Sequence, residues 1–533
     1  MFSRKSSLND SRLSLPKSTD RRRFLMAASA TAMLGGLLLS DATTGVADAA
    51  RPTNGVRLIP NAETDLFRVR IDLDVEGNVD LAANPLVSRK SASKLPISSK
   101  AKFDYEERYR RPENRKRSVS DSAISDPVTF AERYYHEASA DLNVSKLKQT
   151  RELRDLVKTT TVRRETLPEV LYANEDYFSR DELDLLHLPV SSIGVDHLLP
   201  TGEVSQGTKY RPTPESLASA FNMTSVDASE IEAEVVSITR DEAKIQFRGN
   251  ADGSVDGVPT IIRTVGKLTF DRRIGVCTWL AMAVHETRDI GIAKPGFDVA
   301  ATIKMLRKPM ASPIGLEKKL PSVDVTGPIP ADRLYVDLHS DRIGFDTLMN
   351  RDWRMMSDVP GAAMMRMVRH DRSVAQCDFR SLPSLAPGKQ WTLEAFTQDV
   401  KQTLGNQLTD LIDSDERVSP LGLRVLRVTA AGSVQGVPIQ WVLMHFSDDS
   451  GRRMQATFTL EADNVDAFAG SDLQLASSLR LTGRKSESVK DGSQQTDAEM
   501  AQSAENTPAS TRIADAISKR AKKTEVQSAS DLK

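Results

Sequence analysis

Apolar and polar residues alternate along much of the chain with a period of two, the pattern of a half-buried strand. Phe67-Arg-Val69-Arg-Ile71-Asp-Leu73-Asp-Val75 is the clearest stretch, and Lys102 to Tyr109 is a second, less regular one. Further strands are expected over Ile231–Ile238, Ala243–Arg248, Thr260–Phe270, Val276–Glu286 and Phe297–Leu306. Between the second and third of these, Gly249 to Gly257 is rich in Gly, Asn and Asp and reads as a turn. A later group covers Leu334–Leu338, Asp352–Met356, Ala363–Val368, Val374–Arg380, Arg424–Thr429, Ile439–Ser447 and Arg453–Leu460.

Helical spacing is rarer. Leu393, Phe396, Val400, Leu404, Leu408 and Leu411 recur every three or four residues and would share one helix face, with Thr392 as N-cap. Glu182–Leu188 and Pro214–Phe221 are short candidates, the second capped by Thr213. The expected class is therefore α+β: two mainly antiparallel β-sheet domains with few flanking helices. The first, residues 50–310, would be a curved sheet or half-barrel. A Pro-containing linker follows at 311–333, then an α+β domain at 334–482. From 483 to 533 the chain carries almost no large apolar residues and is expected to be disordered, with a marginal helix near Arg512–Lys522.

Residues 1–49 change the picture of where the protein works. Basic residues lead into Arg21-Arg22-Arg23-Phe24-Leu25, and an uncharged run extends to Ser40. That run is shorter than the ~20 apolar residues a membrane span needs. Ala47-Asp48-Ala49 then offers a small-residue cleavage site. The segment resembles a bacterial twin-arginine signal, although Asp20 and Met26 stand where Ser or Thr and Lys are usual. The resemblance implies export to the periplasm or cell envelope, with no membrane span left after cleavage.

Composition narrows the class further. In 533 residues, 72 basic and 73 acidic side chains balance, which removes the electrostatic argument for nucleic acid. The 2 cysteines cannot build a disulfide framework. Signatures such as H-E-x-x-H, C-x-x-C, G-x-S-x-G and G-x-G-x-x-G are absent, so no catalytic, cofactor-binding or metal-binding residue is assigned.

Weaker features each have a plain reading. Asp72-Leu-Asp74-Val-Glu76-Gly77 copies half a calcium loop, but Ala83 stands where Glu is required. Asn250, Asp252, Ser254 and Asp256 alternate without the needed glycine, so an ordinary turn is expected. His136 and His285 read as structural, and Cys277 and Cys377 as buried thiols. Arg108, Arg110, Arg111, Arg115, Lys116 and Arg117 could touch an anionic polymer or lipid headgroup, yet nearby carboxylates make a solvated loop the default. Met349, Met355, Met356, Met364, Met365 and Met367, with His370 beyond, carry soft ligands suited to Cu(I) or simply fill a core.

Gly253-Ser-Val-Asp-Gly-Val-Pro is echoed at Gly432-Ser-Val-Gln-Gly-Val-Pro, and each precedes a strand. The second copy opens a familiar order of features: two long strands across Asp448-Asp-Ser-Gly451, then Thr459-Leu-Glu-Ala-Asp463, Phe468, Asp472 and Ser477-Ser-Leu-Arg-Leu481. With the helix after Thr392, this region resembles the PsbP-like fold. The resemblance implies an antiparallel sheet flanked by helices, a binding or assembly role, and no catalytic motif. The N-terminal half resembles uncharacterised exported bacterial proteins, which implies location only. The expected function is a non-enzymatic exported envelope protein acting as a binding or assembly module, with an envelope protein or an apolar ligand as partner. A periplasmic carrier of an apolar ligand such as a lipid, a motif-free enzyme and a Cu(I)-binding protein are the alternatives.

Overall fold

Strand alternation organises nearly the whole chain in the computed structural model, which describes residues 55–60, 64–81, 93–110, 128, 130–317, 327–386, 389–482. The segment expected as an export signal, the polar stretch at 111–126, the middle of the expected 311–333 linker and residues 483–533 lie outside the described residues.

The strands are β1 (Val56–Arg57), β2 (Leu66–Leu81), β3 (Ser93–Arg110), β4 (Phe130–Val144), β5 (Leu147–Glu152), β6 (Thr159–Arg163) and β7 (Val170–Ala173). Then follow β8 (Glu203–Val204), β9 (Lys209–Tyr210), β10 (Ser225–Ser229), β11 (Glu232–Ile238), β12 (Glu242–Val255), β13 (Val258–Asp271), β14 (Val276–Arg288) and β15 (Gly296–Pro309). All of these except β1 and β8 form one 13-stranded sheet ordered β7-β6-β4-β3-β2-β15-β14-β13-β12-β11-β9, with β5 and β10 as side branches. Every pairing recorded in it is antiparallel.

One face of this sheet covers the chain's own segment from Leu185 to Met223. That segment holds helices α1 (Arg180–Leu186) and α2 (Pro214–Phe221). Ser179 and Glu182 cap α1 reciprocally, and Thr213 caps α2, so both starts are written in local sequence. Leu185, Val190, Ile193, Leu198, Leu217 and Phe221 meet Val69, Phe103, Ile245 and Leu280 in a single apolar core.

The C-terminal part begins with β16 (Tyr335–Ser340), β17 (Phe345–Asn350), β18 (Trp353–Val359), β19 (Ala362–Arg369) and β20 (Arg372–Leu382). Helix α3 (Leu393–Leu404) follows, then β21 (Leu408–Val418), β22 (Arg424–Val434), β23 (Val437–Ser447) and β24 (Arg453–Glu461). Helices α4 (Val465–Phe468) and α5 (Ser471–Ser478) and strand β25 (Arg480–Leu481) end it. A 7-stranded sheet runs β18-β19-β20-β24-β23-β22-β21, beside a 3-stranded sheet β16-β17-β25. Residues of α4 and α5 pack in one core with Trp353, Met444 and Phe458, while α3 packs in another with Leu426, Trp441 and Leu443.

The α+β expectation is corrected: the protein is mostly antiparallel β, in several sheets, and its longest described helix has 12 residues. Ladders extend beyond the apolar stretches because a paired neighbour satisfies the backbone of polar residues too. Gly249–Val255, expected as a turn, therefore belongs to β12, and only Asp256-Gly257 turns the chain. Asp104, Glu106, Glu107 and Arg108 lie on β3, within the stretch Lys102–Tyr109 where a strand is expected. The helix expected to reach Leu411 stops at Leu404, where Gly405 takes a positive φ of 50°. Leu408 and Leu411 still pack against the same core, from β21.

Candidate functional site

Two polar assemblies stand out in this β framework, one sealed and one open. The sealed one ties the inner segment to the large sheet. Arg133 on β4 donates to Glu107 at 2.7 Å and to Glu169 at 2.8 Å, and all three side chains are buried. Tyr105 donates to Ser192 at 2.9 Å, Ser192 donates to Glu107, and Ser191 donates to Glu169. Burial alone would raise the Glu169 pKa, but Arg133 and Arg164 bring it below the usual carboxylate range. Arg307 on β15 extends the lattice by donating to the Ser192 carbonyl at 3.0 Å and to Asp196 at 2.9 Å. Neutralised charges this deep hold a segment in place. They present nothing to a solute.

A second anchor lies on β3, where Glu106 accepts from the backbone of Ile314 and Gly315 at 2.9 and 2.8 Å. His136 Nε2 lies 2.7 Å from the same carboxylate. Burial pushes Glu106 up, and these bonds more than offset it.

The open assembly lies where the two large sheets meet. Arg180 at the start of α1 donates through Nη2 to the carbonyls of Arg351, at 2.7 Å, and Trp353, at 3.1 Å. Its buried Nε has no partner. Phe178 and Asp337 join by a backbone hydrogen bond of 2.9 Å, and Leu183 of α1 packs against both neighbouring cores. From the large sheet come Asp256, paired with Lys294, and Arg288, paired with Glu286. The β19–β20 turn closes the junction: Asp371 accepts from Ile292 N at 2.6 Å.

Arg180 thus meets the Arg351 backbone at this junction, with Arg354 near enough to act on both electrostatically. Among the described residues Arg180 and Arg351 bond only backbone carbonyls, and Arg354 acts on Asp256 without forming an ion pair. Burial, then the nearby Arg354, lowers the Arg180 pKa to about 9. Burial lowers Arg351 to about 10 and pulls Lys294 down despite Asp256. His187 is exposed to solvent, yet burial and then Lys294 lower its pKa to about 4. Asp352 pairs with Arg369, which lines a pocket of about 610 Å³ together with His370, Arg372, Ser373, Val374, Glu461 and Asn464.

The residues singled out in the sequence go elsewhere. Cys277 and Cys377 are buried free thiols in separate cores, with burial raising both pKa values. Met365 and Met367 share a core with Met349, whereas Met364 points to the other face of β19. His370 sits in the turn beyond, with a positive φ of 47°. Among the described residues no group of three or more His, Cys, Asp or Glu is placed to hold a metal. Asp72, Asp74 and Glu76 lie within β2, and His285 pairs with Asp298 at 3.0 Å. The junction residues carried no local signal, being single arginines and lysines scattered from 180 to 354.

No family model and no curated protein matches the chain. Among solved structures, the translocator domain of autotransporter NalP from Neisseria meningitidis aligns over 75% of this chain and 88% of its own, at 4% identity and a TM-score of 0.11. OccK1 (OpdK) from Pseudomonas aeruginosa aligns over 74% and 97%, at 10% identity and a TM-score of 0.08. OprD from the same organism aligns over 76% and 94%, at 9% identity and a TM-score of 0.09. Similarity this low carries no argument about fold or role.

Proposed function

We propose that this protein is a non-catalytic binding component of the cell envelope, exported through its N-terminal signal, with the junction between its two large sheets as the binding site. The observation that carries the reading is Arg180, which reaches the carbonyls of Arg351 and Trp353 and keeps a buried Nε without a partner, beside Arg354, which forms no ion pair among the described residues. Like charges held close to one another repel, and a bound anion relieves that repulsion. The PsbP-like reading of the C-terminal part, a sheet with helices on both faces, supports a binding role.

The inward face of the large sheet favours this site over an apolar one. Its inward side chains meet Leu185, Ile193, Leu198, Leu217 and Phe221 of the protein's own inner segment. Native mass spectrometry of the mature protein, purified from its own envelope, tests the proposal. A retained mass or partner that disappears in Arg354→Gln is expected. A bare protein mass in both forms would overturn the reading.

A further inference from the structure

Alternation sends every second residue of β12 to β15 inward to the core and the others outward. Directly paired residues are neighbours on one face, so the register maps the outer surface of the large sheet. One row holds Lys267, Ala281, Lys304, Asp72 and Lys102, on β13, β14, β15, β2 and β3 in turn. The row on one side of it holds Thr269, Trp279, Leu306 and Arg70. On its other side come Arg248, Val265, Ala283 and Thr302, then Arg263, His285, Ala300 and Glu76. Leu306 is 44% and Val265 36% exposed, and Trp279 is half-buried, all on the side of the sheet away from its core. Around them Lys102, Lys267, Lys304, Arg248 and Arg263 are exposed and form no ion pair among the described residues. Lys244, Arg70 and Lys100 are answered by Glu242, Asp104 and Asp74. Asp72 and Glu76 are the acids left over on these rows, so positive charge prevails.

We propose that this outer face docks on the surface of an anionic lipid bilayer, with Lys267 and Lys304 engaging lipid phosphates and Trp279 and Leu306 entering the headgroup layer. Lys267 and Lys304 stand on either side of β14, two strand spacings or about 9.5 Å apart, with the small Ala281 between them. A phosphate group can therefore approach both ammonium groups. Trp279 pairs directly with Leu306, one row away. An indole has an apolar body and one polar N–H, the combination that suits a membrane–water interface. A soluble polyanion would answer the lysines and leave Trp279 and Leu306 in water. A second copy of the chain would bring the same unpaired cations face to face. Cations beside exposed apolar side chains thus favour the bilayer over both. This surface is separate from the junction between the sheets, so it stands or falls independently of the binding site proposed there.

Cosedimentation of the full mature protein with vesicles is the test, using phosphatidylcholine alone and an equimolar mixture with phosphatidylglycerol. Binding to the mixed vesicles that weakens with salt, and little binding to phosphatidylcholine, is expected. The Lys267→Gln, Lys304→Gln double variant should bind more weakly by about tenfold or more. Lys389→Gln, Lys401→Gln removes exposed cations from the C-terminal part and should bind as the parent does. Leu306→Gln should weaken binding at unchanged charge. Mixed vesicles should shift tryptophan emission to the blue in the parent and not in Trp279→Phe. The substituted side chains all reach solvent, and circular dichroism confirms that each variant is folded. Absence of binding to the mixed vesicles, or equal loss in the two lysine pairs, overturns the proposal. So does binding of soluble polyphosphate with no emission change on vesicles, which would identify a soluble polyanion as the partner. Arg354→Gln should bind vesicles like the parent, so a native mass lost from that variant concerns the junction alone.

Discussion

Arg307 Nη2 on β15 lies 2.9 Å from Asp196 Oδ2 in the inner segment, and the Arg307 side chain is wholly enclosed. The guanidinium also packs over Phe67, 4.6 Å from the ring centre, and Asp196 further accepts from Cys277 N. Removing the acid leaves a charge with no counterion in an apolar setting. Asp196→Ala should therefore destabilise the protein by about 3–5 kcal/mol. Arg307→Met, which retains apolar volume against Phe67, should cost less. Urea unfolding of the two variants decides the point, and equal losses would contradict it.

Two turns of the same sequence type do different work. Asp256-Gly257 and Gln435-Gly436 each reverse the chain in two residues, and all four have positive φ, at 52°, 84°, 51° and 83°. A Cβ on Gly436 would meet open space, whereas one on Gly257 would come within 2.6 Å of the His370 backbone. Gly436→Ala should thus cost only the backbone strain, about 1 kcal/mol. Gly257→Ala should cost more and loosen the junction between the sheets. Limited proteolysis near residues 289–295 reads this out, and identical behaviour of the two variants would show that the His370 contact is unimportant.

These turns also show what a sequence can disclose. The Gly253 and Gly432 echo marked both hairpins, and Thr213 with Pro214 marked the start of α2, because such signals are local. Alternation at Phe67–Val75 showed a strand but not its partners, one of which, β15, is the last strand of that sheet in chain order. The buried Glu107–Arg133–Glu169 lattice was invisible for the same reason: charged residues read as solvent-facing until the fold brings their counterions together. The Arg180 junction was hidden more thoroughly still, since its members share neither an element nor a spacing.

His445 predicts an acid limb in stability. It is fully buried, stacks on Trp391 with ring centres 5.1 Å apart, and bonds through neither ring nitrogen. Burial, followed by Arg453 and Arg424, lowers its pKa from 6.5 to about 4. The unfolded chain then binds a proton that the folded one refuses. Its contribution is complete above the unfolded pKa and is lost as pH falls toward 4, about 3 kcal/mol in all. Glu106, Glu169 and Glu182, whose pKa values are lowered, lose stability in the same direction but at lower pH. His445→Phe should flatten the limb from about 6.5 to 4, leaving the share of His187 and His197, whose pKa values are lowered as well. Denaturation midpoints across this range would show an unchanged slope if the assignment is wrong.

The methionine-rich strands make a simpler prediction. Met365 and Met367 fill the core beside Trp353 and Phe458. Met365→Leu should cost less than about 1.5 kcal/mol, and Met365→Ala about 2–5 kcal/mol. Copper(I) titration of the Met365→Leu, Met367→Leu double variant should match the parent. A lost copper site would revive the thioether-ligand reading.

The pairing of β2 with β15 sets the order in which the chain can mature. It joins Asp80 to Gly296 and Phe67 to Pro309, and it lies in the middle of the large sheet, not at its rim. The strands made first must therefore wait, one edge unsatisfied, until synthesis has passed residue 309. Contacts so distant along the chain slow folding and prolong the exposure of an aggregation-prone edge. A chain truncated before β15 would lack the central seam of its sheet, leaving two β fragments without the strand that joins them.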